Sequence, residues 1–278
     1  MVTVKIKRTK PFLKWAGGKS NLLKQYEPLF PKWTGDYFEP FIGSGAVFFF
    51  LSARPEKRNY HLSDLNREII DAFCAVRDDV EGVIRLLTKH QQLHSKDYFY
   101  QVRALAPKNL STLERAARTI YLNKTCFNGL YRVNKKGEFN VPVGNYKKPS
   151  ILQVETLKAA SRALSLANLS VGHYSALEDR AQAGDFIYLD PPYHPLSKTA
   201  MFTNYVVEAF GEKDQKELVQ VATTLSEKGC LFMESNSNTD FVKNLYKDFK
   251  IQEVWARRSI NREKSKRGAI TELVITNF

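Results

Sequence analysis

The chain has 278 residues, enough for one large domain or for a core domain carrying a sizeable insertion. Its 43% hydrophobic content argues against disorder, while 42 basic against 29 acidic residues, a net charge of +13, favour an anionic partner, nucleic acid ahead of a membrane surface. The longest apolar run, 46–51, is far short of the roughly 20 residues of a spanning helix, the basic N-terminus lacks the apolar stretch of a secretory signal, and three scattered cysteines (Cys74, Cys126, Cys230) suit a reduced cytoplasm.

In chain order, "YFEPFIGSGAVFFFL" (37–51) reads as a short strand, a glycine turn and an apolar helix, and 59–64 as a second strand ending on a carboxylate. Residues 65–123 are mostly helical, with a break near Ala106-Pro107, and 130–144 form a β-hairpin turning at Asn134–Gly137. A helix over 153–166 precedes strands at 169–173, 185–190, 230–235, 250–257 and 271–278, with helices at 213–228 and 239–247. Alternation at both ends predicts an α/β fold, a doubly wound Rossmann-like sheet built from 1–65 and 166–278. Residues 66–165 are then an insertion of helices plus the hairpin. The sequons at Asn123 and Asn168 are chance matches in such a protein.

Two glycine segments bear on ligand binding. Gly43 and Gly45 sit between a strand and a helix, where an α/β sheet admits a ligand close to its backbone. Phe48 stands where a dinucleotide fingerprint needs glycine, which disfavours NAD. Asp64, 19 residues after Gly45, is placed to accept from ribose hydroxyls. A plain tight turn with a capping aspartate is the alternative. "FLKWAGGKS" (12–20) contains Gly-Lys-Ser but has Leu13 where a phosphate loop needs glycine. Trp15 and Lys19 suit a carboxylate-bearing ligand; a core tryptophan with a surface lysine is the alternative.

"DFIYLDPPYHP" (185–195) ends a buried strand on Asp190, Pro191, Pro192 and Tyr193. Prolines donate no N–H and hold their carbonyls in a fixed direction. A carboxylate, a fixed carbonyl and a ring suit a planar group bearing NH₂, two acceptors for its hydrogens and a face for stacking. Holding both hydrogens aims the nitrogen lone pair at an electrophile, catalysis by positioning and electrostatics. Average composition produces D-P-P-Y on the order of once in a thousand such chains.

The blocks "PFLKWAGGK" (11–19), "EPFIGSGAVFF" (39–49), "SDLN" (63–66) and "LDPPY" (189–193) resemble those of the Dam-type DNA adenine-N6 methyltransferases, the D12 class with a D-P-P-Y motif. "NGLYRVNKKGEFNVPVGNYKKP" (128–149) resembles that family's recognition segment, and weaker blocks follow at 199–205 and 257–260. The resemblance implies S-adenosyl-L-methionine as methyl donor and no metal. It implies that Trp15 and Lys19 lie along this cofactor, that Phe41 to Gly45 (Phe41, Gly43, Gly45) wrap it, that Asp64 holds its ribose, and that Asp190 borders it. Asp190 and the Pro191 carbonyl then grip the N6 amine of a flipped-out adenine, and Tyr193 stacks on it. Double-stranded DNA is the implied partner of a monomeric, cytoplasmic, nucleoid-associated enzyme, orphan or paired with an endonuclease.

The recognition segment has its own physical support. Between Asn123 and Pro149 there are six Lys/Arg against Glu138 alone, a basic hairpin suited to a major groove. By resemblance Phe127 is the wedge, where relatives often carry tyrosine; Asn128 belongs to the DNA-contacting segment; Leu130, Arg132 and Pro142 read bases; and Lys14 contacts a guanine. GATC is the implied site. A second basic run, 257–267, either tracks phosphates or is a solvated loop; the lysine-rich 261–268 fits the family poorly. His90 and His94, four residues apart, are expected on a solvated helix face rather than at zinc. RNA- or protein-directed relatives usually carry Asn where Asp190 stands and lack the recognition segment, and the intact D-P-P-Y speaks against a silent DNA-binding relative.

Overall fold

A computed structural model describes residues 9–56, 58–134, 136–195, 210–257 and 269–278. Lys135, the block at 199–205 and the basic residues 258–267 lie outside these.

The central strands are short and buried along almost their whole length, as in a sheet covered on both faces. β1 (Tyr37–Glu39) and β4 (Phe186–Leu189) are buried at every residue. β1 pairs in parallel with β2 (Tyr60–Asp64) on one side and with β4 on the other, and β4 pairs in parallel with β5 (Leu231–Ser237). β7 (Ala269–Thr276) runs antiparallel to both β5 and β6 (Lys250–Arg257). With β3 (Ala167–Val171), the described strands form a seven-stranded sheet in the order β3-β2-β1-β4-β5-β7-β6. This is the mixed α/β, doubly wound sheet expected from the alternation. Strand order reverses between β1 and β4, the place where such sheets leave a crevice beyond their carboxyl ends. Phe41 follows β1 by two residues, and Asp190 directly follows β4.

The chain divides into two compact units. One comprises Met1–Gly18, Ile42–Lys57 and Asp64–Val171, the other Lys19–Phe41, Arg58–Ser63 and Gly172–Phe278. In the second, alternation along β4 serves both faces. Ile187 and Leu189 join Phe232, Leu273 and Ile275 in a core with Leu218, Val221, Ala222 and Leu225, the i, i+3, i+4, i+7 stripe of a long helix over Glu212–Glu227. Tyr188, facing the other way, meets Tyr26 at 6.3 Å.

The first unit is largely helical. α1 (Leu23–Tyr26) belongs to the other unit; α2 (Ala46–Leu51) is wholly buried, and the Phe12 ring lies 4.9 Å from Phe73 and 6.4 Å from Phe49. Then follow α3 (Arg67–Asp78), α4 (Val80–Leu93), α5 (Lys96–Ala104), α6 (Thr112–Thr125) and α7 (Val154–Leu164). The break near Pro107 is a 3-10 turn, Pro107–Asn109, and Ser111 with Glu114 forms a capping box that starts α6. Arg118 of α6 is buried, its guanidinium donating to the Val102 and Arg103 carbonyls and to Glu68 Oε2.

The hairpin expected over 130–144 is reduced to a turn with two isolated bridges, Val133↔Phe139 and Cys126↔Val143. Pro142 has no N–H to give a ladder, and the tip is held by a side chain: Asn134 Oδ1 accepts from the N–H groups of Lys136 and Glu138. His90 and His94 also differ from the solvated face expected. His90 Nδ1 lies 2.9 Å from the Tyr98 hydroxyl, His94 Nδ1 lies 2.9 Å from that of Tyr121, and His90 stacks on the Tyr121 ring. Burial lowers the His90 pKa to about 4, so this cluster holds a neutral imidazole.

Candidate active site

β4 ends at Leu189 because Pro191 and Pro192 offer no ladder donors. Asp190 Oδ1 accepts from the Lys19 ammonium at 2.7 Å and from the Ser235 hydroxyl at 2.8 Å. The Tyr188 hydroxyl lies 3.0 Å from Ser235 Oγ. Asp190 Oδ2 has no hydrogen-bond partner among the described residues. The two proline carbonyls differ as well: Pro192 accepts from Gln215 Nε2 at 2.9 Å, while no described residue donates to Pro191. The Tyr193 hydroxyl donates to Glu272 Oε2 at 2.7 Å, and Lys19 Nζ sits 4.8 Å from the Tyr193 ring centroid. Burial, then the charge of Asp190, holds the Tyr193 pKa well above its usual value, so the phenol remains a donor. Burial likewise raises the Glu272 carboxyl, with Lys19 opposing it. A carboxylate oxygen, a fixed carbonyl and an anchored ring thus stand together at the end of β4.

In the other unit, Gly43 and Gly45 adopt left-handed φ of 47° and 70°. A Cβ on Gly43 would lie 2.7 Å from Trp15 Cδ1, so the indole rests on this glycine. The Gly43 N–H donates to Asp64 Oδ2 at 3.2 Å and the Asn66 N–H to Oδ1 at 2.9 Å. Burial raises the Asp64 pKa, and these two backbone hydrogen bonds oppose it. Trp15 is only half-buried, whereas Lys19 is 3% exposed. The alternative of core tryptophan and surface lysine is therefore inverted, because the lysine has Asp190 to neutralise it. Phe41 packs its ring 5.4 Å from Tyr174 and 5.9 Å from Phe210.

Around residues 123–146 the same unit builds a basic, partly exposed surface. Asn123 Oδ1 accepts from the Lys14 N–H, and its Nδ2 donates to the carbonyls of Lys14 and Gly129. Lys14 Nζ lies 4.3 Å from the Tyr146 ring centroid. Phe127 is 50% exposed, its N–H donating to the Pro142 carbonyl at 2.8 Å, and Asn128 takes φ 54°. Arg132 is exposed, with Nε 2.6 Å from Asn140 Oδ1, and Leu130 is half-buried. Lys14, Phe127, Asn128, Leu130, Arg132 and Pro142 thus share one segment and its anchor.

The family model described as D12 class N6 adenine-specific DNA methyltransferase matches residues 15–260. The chain belongs to this family. The Type II methyltransferase M1.LlaDCHI of Lactococcus lactis is 42% identical over 275 residues, 97% of this chain and 95% of that one. The Type II methyltransferase M.MjaIII of Methanocaldococcus jannaschii is 41% identical over 286 residues, covering 97% and 99%. The DNA adenine methylase of Escherichia coli is 34% identical over 272 residues, covering 97% and 95%.

In this D12-class methyltransferase the residues that sequence reasoning missed are those brought in by sheet register. Ser235 and Glu272 reach Asp190 and Tyr193 from β5 and β7, and the only local hint was polar residues inside apolar strands. Asn123 is the clamp of Lys14, a contact across 109 residues that its local sequence does not announce. Among the described residues no group of three or more His, Cys, Asp or Glu could hold a metal ion, and no helix is long and apolar enough to cross a membrane.

Proposed function

We propose that the protein transfers the methyl group of S-adenosyl-L-methionine to N6 of an adenine flipped out of double-stranded DNA, within GATC. One observation carries the reading: Lys19 and Ser235 engage Asp190 Oδ1, while Oδ2 and the adjacent Pro191 carbonyl have no described partner. Two acceptors beside an anchored ring match the two N–H hydrogens of one aromatic amine and its π face.

Trp15, Lys19, Phe41, Gly43, Gly45, Asp64 and Asp190 are the residues to hold the cofactor. The fit rests on the Trp15 indole seated directly on the Gly43 backbone and on the Asp64 carboxylate at the end of β2. Bound there, S-adenosylmethionine supplies an electrophilic methyl group on a sulfonium. Asp190 Oδ2 and the Pro191 carbonyl each accept one N6 hydrogen. This favours a tetrahedral nitrogen and turns its lone pair out of the ring plane. As the N–C bond forms the methyl–sulfur bond would break, its electron pair staying on sulfur as a neutral thioether. The carboxylate stabilises the positive charge passing to nitrogen, and one proton then leaves to Asp190 or water. Extrusion of the base costs a few kcal/mol, and Phe127 fills the space left in the stack. Asn128, Leu130, Arg132 and Pro142 contact the site from the segment 123–146, Lys14 contacts it from its place beside Asn123, and residues 66–165 act as the recognition insertion. The enzyme works as a monomer on nucleoid DNA in the cytoplasm.

The test is labelled methyl transfer to duplexes containing GATC or GTTC. Transfer to the first alone is expected, with Asp190→Ala abolishing transfer while DNA binding persists. Equal labelling of both duplexes would overturn the site, and an active Asp190→Ala would overturn the role of the carboxylate.

A further inference from the structure

Gln215 and Asn236 are completely buried, yet neither touches Asp190. Gln215 lies in the first turn of the helix Glu212–Glu227, and Asn236 lies in β5 beside Ser235 but on the opposite face. Their carboxamides are oriented by their surroundings. Asn236 Oδ1 lies 2.8 Å from the Ser237 backbone nitrogen and 3.4 Å from that of His194, so it is the acceptor end. Asn236 Nδ2 is then the donor, to Gln215 Oε1 and Glu234 Oε1, both at 2.9 Å. That leaves Gln215 Nε2 as a donor aimed at the Pro192 carbonyl, 2.9 Å away. Ser237 Oγ adds a hydrogen bond to the His194 carbonyl at 2.7 Å.

The segment after Asp190 needs such help. Its prolines have no N–H groups, so the backbone of Pro191 and Pro192 can be held by hydrogen bonds only through its carbonyls. The Pro192 carbonyl belongs to the peptide plane that ends at the Cα of Tyr193. Fixing the direction of that carbonyl fixes where the tyrosine ring starts from, while Glu272 fixes where its hydroxyl ends. Apolar side chains would fill the same space without burying two amides, which singles the pair out as serving geometry rather than stability.

We propose that Gln215, oriented by Asn236, is a positioning residue for methyl transfer: it sets the Pro192–Tyr193 peptide plane and so the Tyr193 ring against the target base. This rests on the adenine-N6 reading of the same loop. The wild-type protein is the control that separates the two, since failure of that reading leaves it without N6 transfer, whatever the variants do.

The experiment compares the full-length wild type with Gln215→Leu and Gln215→Glu. Gln215→Glu keeps the acceptor for Asn236 and, assayed above about pH 8 where its carboxyl is ionised, loses the donor to Pro192, so it tests the contact even if Gln215→Leu does not fold. The readouts are single-turnover transfer rate, KM for both substrates, melting temperature, and emission of a duplex carrying 2-aminopurine at the target position. Both folded variants are expected to lose about 10- to 100-fold in transfer rate, the scale of a small misplacement of reacting groups. Their KM values should stay within about twofold of wild type, because uniform binding is untouched. The 2-aminopurine emission should change at unchanged DNA affinity, because the ring beneath the base has moved. Wild-type transfer rate in a folded variant overturns the proposal. So does a loss matched by KM or by a lowered melting temperature, since either marks a merely structural role.

Discussion

Replacing Glu234 by Gln should make the protein more stable at alkaline pH and leave it nearly unchanged in acid. Glu234 lies in β5 with no exposure, and burial raises its pKa from 4.5 to about 7. Hydrogen bonds from Tyr246 (2.5 Å to Oε2) and Asn236 (2.9 Å to Oε1) oppose that rise without cancelling it. Below about pH 4.5 the carboxyl is protonated in both the folded and the unfolded chain. Between 4.5 and 7 only the unfolded chain releases the proton, so stability falls as pH rises. Above 7 the full difference is reached: from 4.5 to about 7, at about 1.4 kcal/mol per pH unit, it amounts to about 3 kcal/mol. Glutamine keeps an acceptor for Asn236 and presents a donor to the Tyr246 oxygen, so it satisfies both partners without a charge. Denaturation of both proteins from pH 5 to 8 is the assay. The variant's advantage should grow from under about 1 kcal/mol to about 3 kcal/mol, roughly 6 °C in Tm at the alkaline end. An advantage that does not change with pH, or a variant less stable at pH 8, would refute the burial argument.

Gly43→Ala should weaken S-adenosylmethionine binding at least about tenfold while DNA affinity persists. Its left-handed φ costs an L-residue roughly 1–2 kcal/mol, and the added Cβ displaces the Trp15 indole. Calorimetric titration with the cofactor and a DNA-binding assay give the two values, and unchanged cofactor affinity would remove this loop from the site. Arg132→Ala should relax discrimination at a single base pair by about 1–3 kcal/mol. Transfer rates on duplexes varied one position at a time check this, and uniform loss across all of them would assign Arg132 to phosphate instead.

The candidate site was readable wherever its chemistry is local. Asp190 to Tyr193 occupy consecutive positions after a strand, and Gly43 and Gly45 occupy one turn, so side-chain type and spacing announce them. Even there the local reading left Trp15 and Lys19 ambiguous. A lysine is buried only when a partner is brought to it, and Asp190 is 171 residues away in the chain.

Sequence alone determined the strand-and-helix alternation, the basic segment at 123–149 and the family, because apolar periodicity, charge and motif spacing are properties of the chain itself. The tertiary structure decided which oxygen of Asp190 is engaged, which carbonyl Gln215 holds and what anchors Tyr193. It also replaced an expected hairpin ladder with isolated bridges, and a solvated histidine pair with an aromatic cluster. These depend on pairing register. β5 alternates Ser235 to one face and Glu234 with Asn236 to the other, and its antiparallel partner β7 sets Glu272 across from Ser237. Register is set by many weak contacts between distant segments, so no short stretch of sequence carries it.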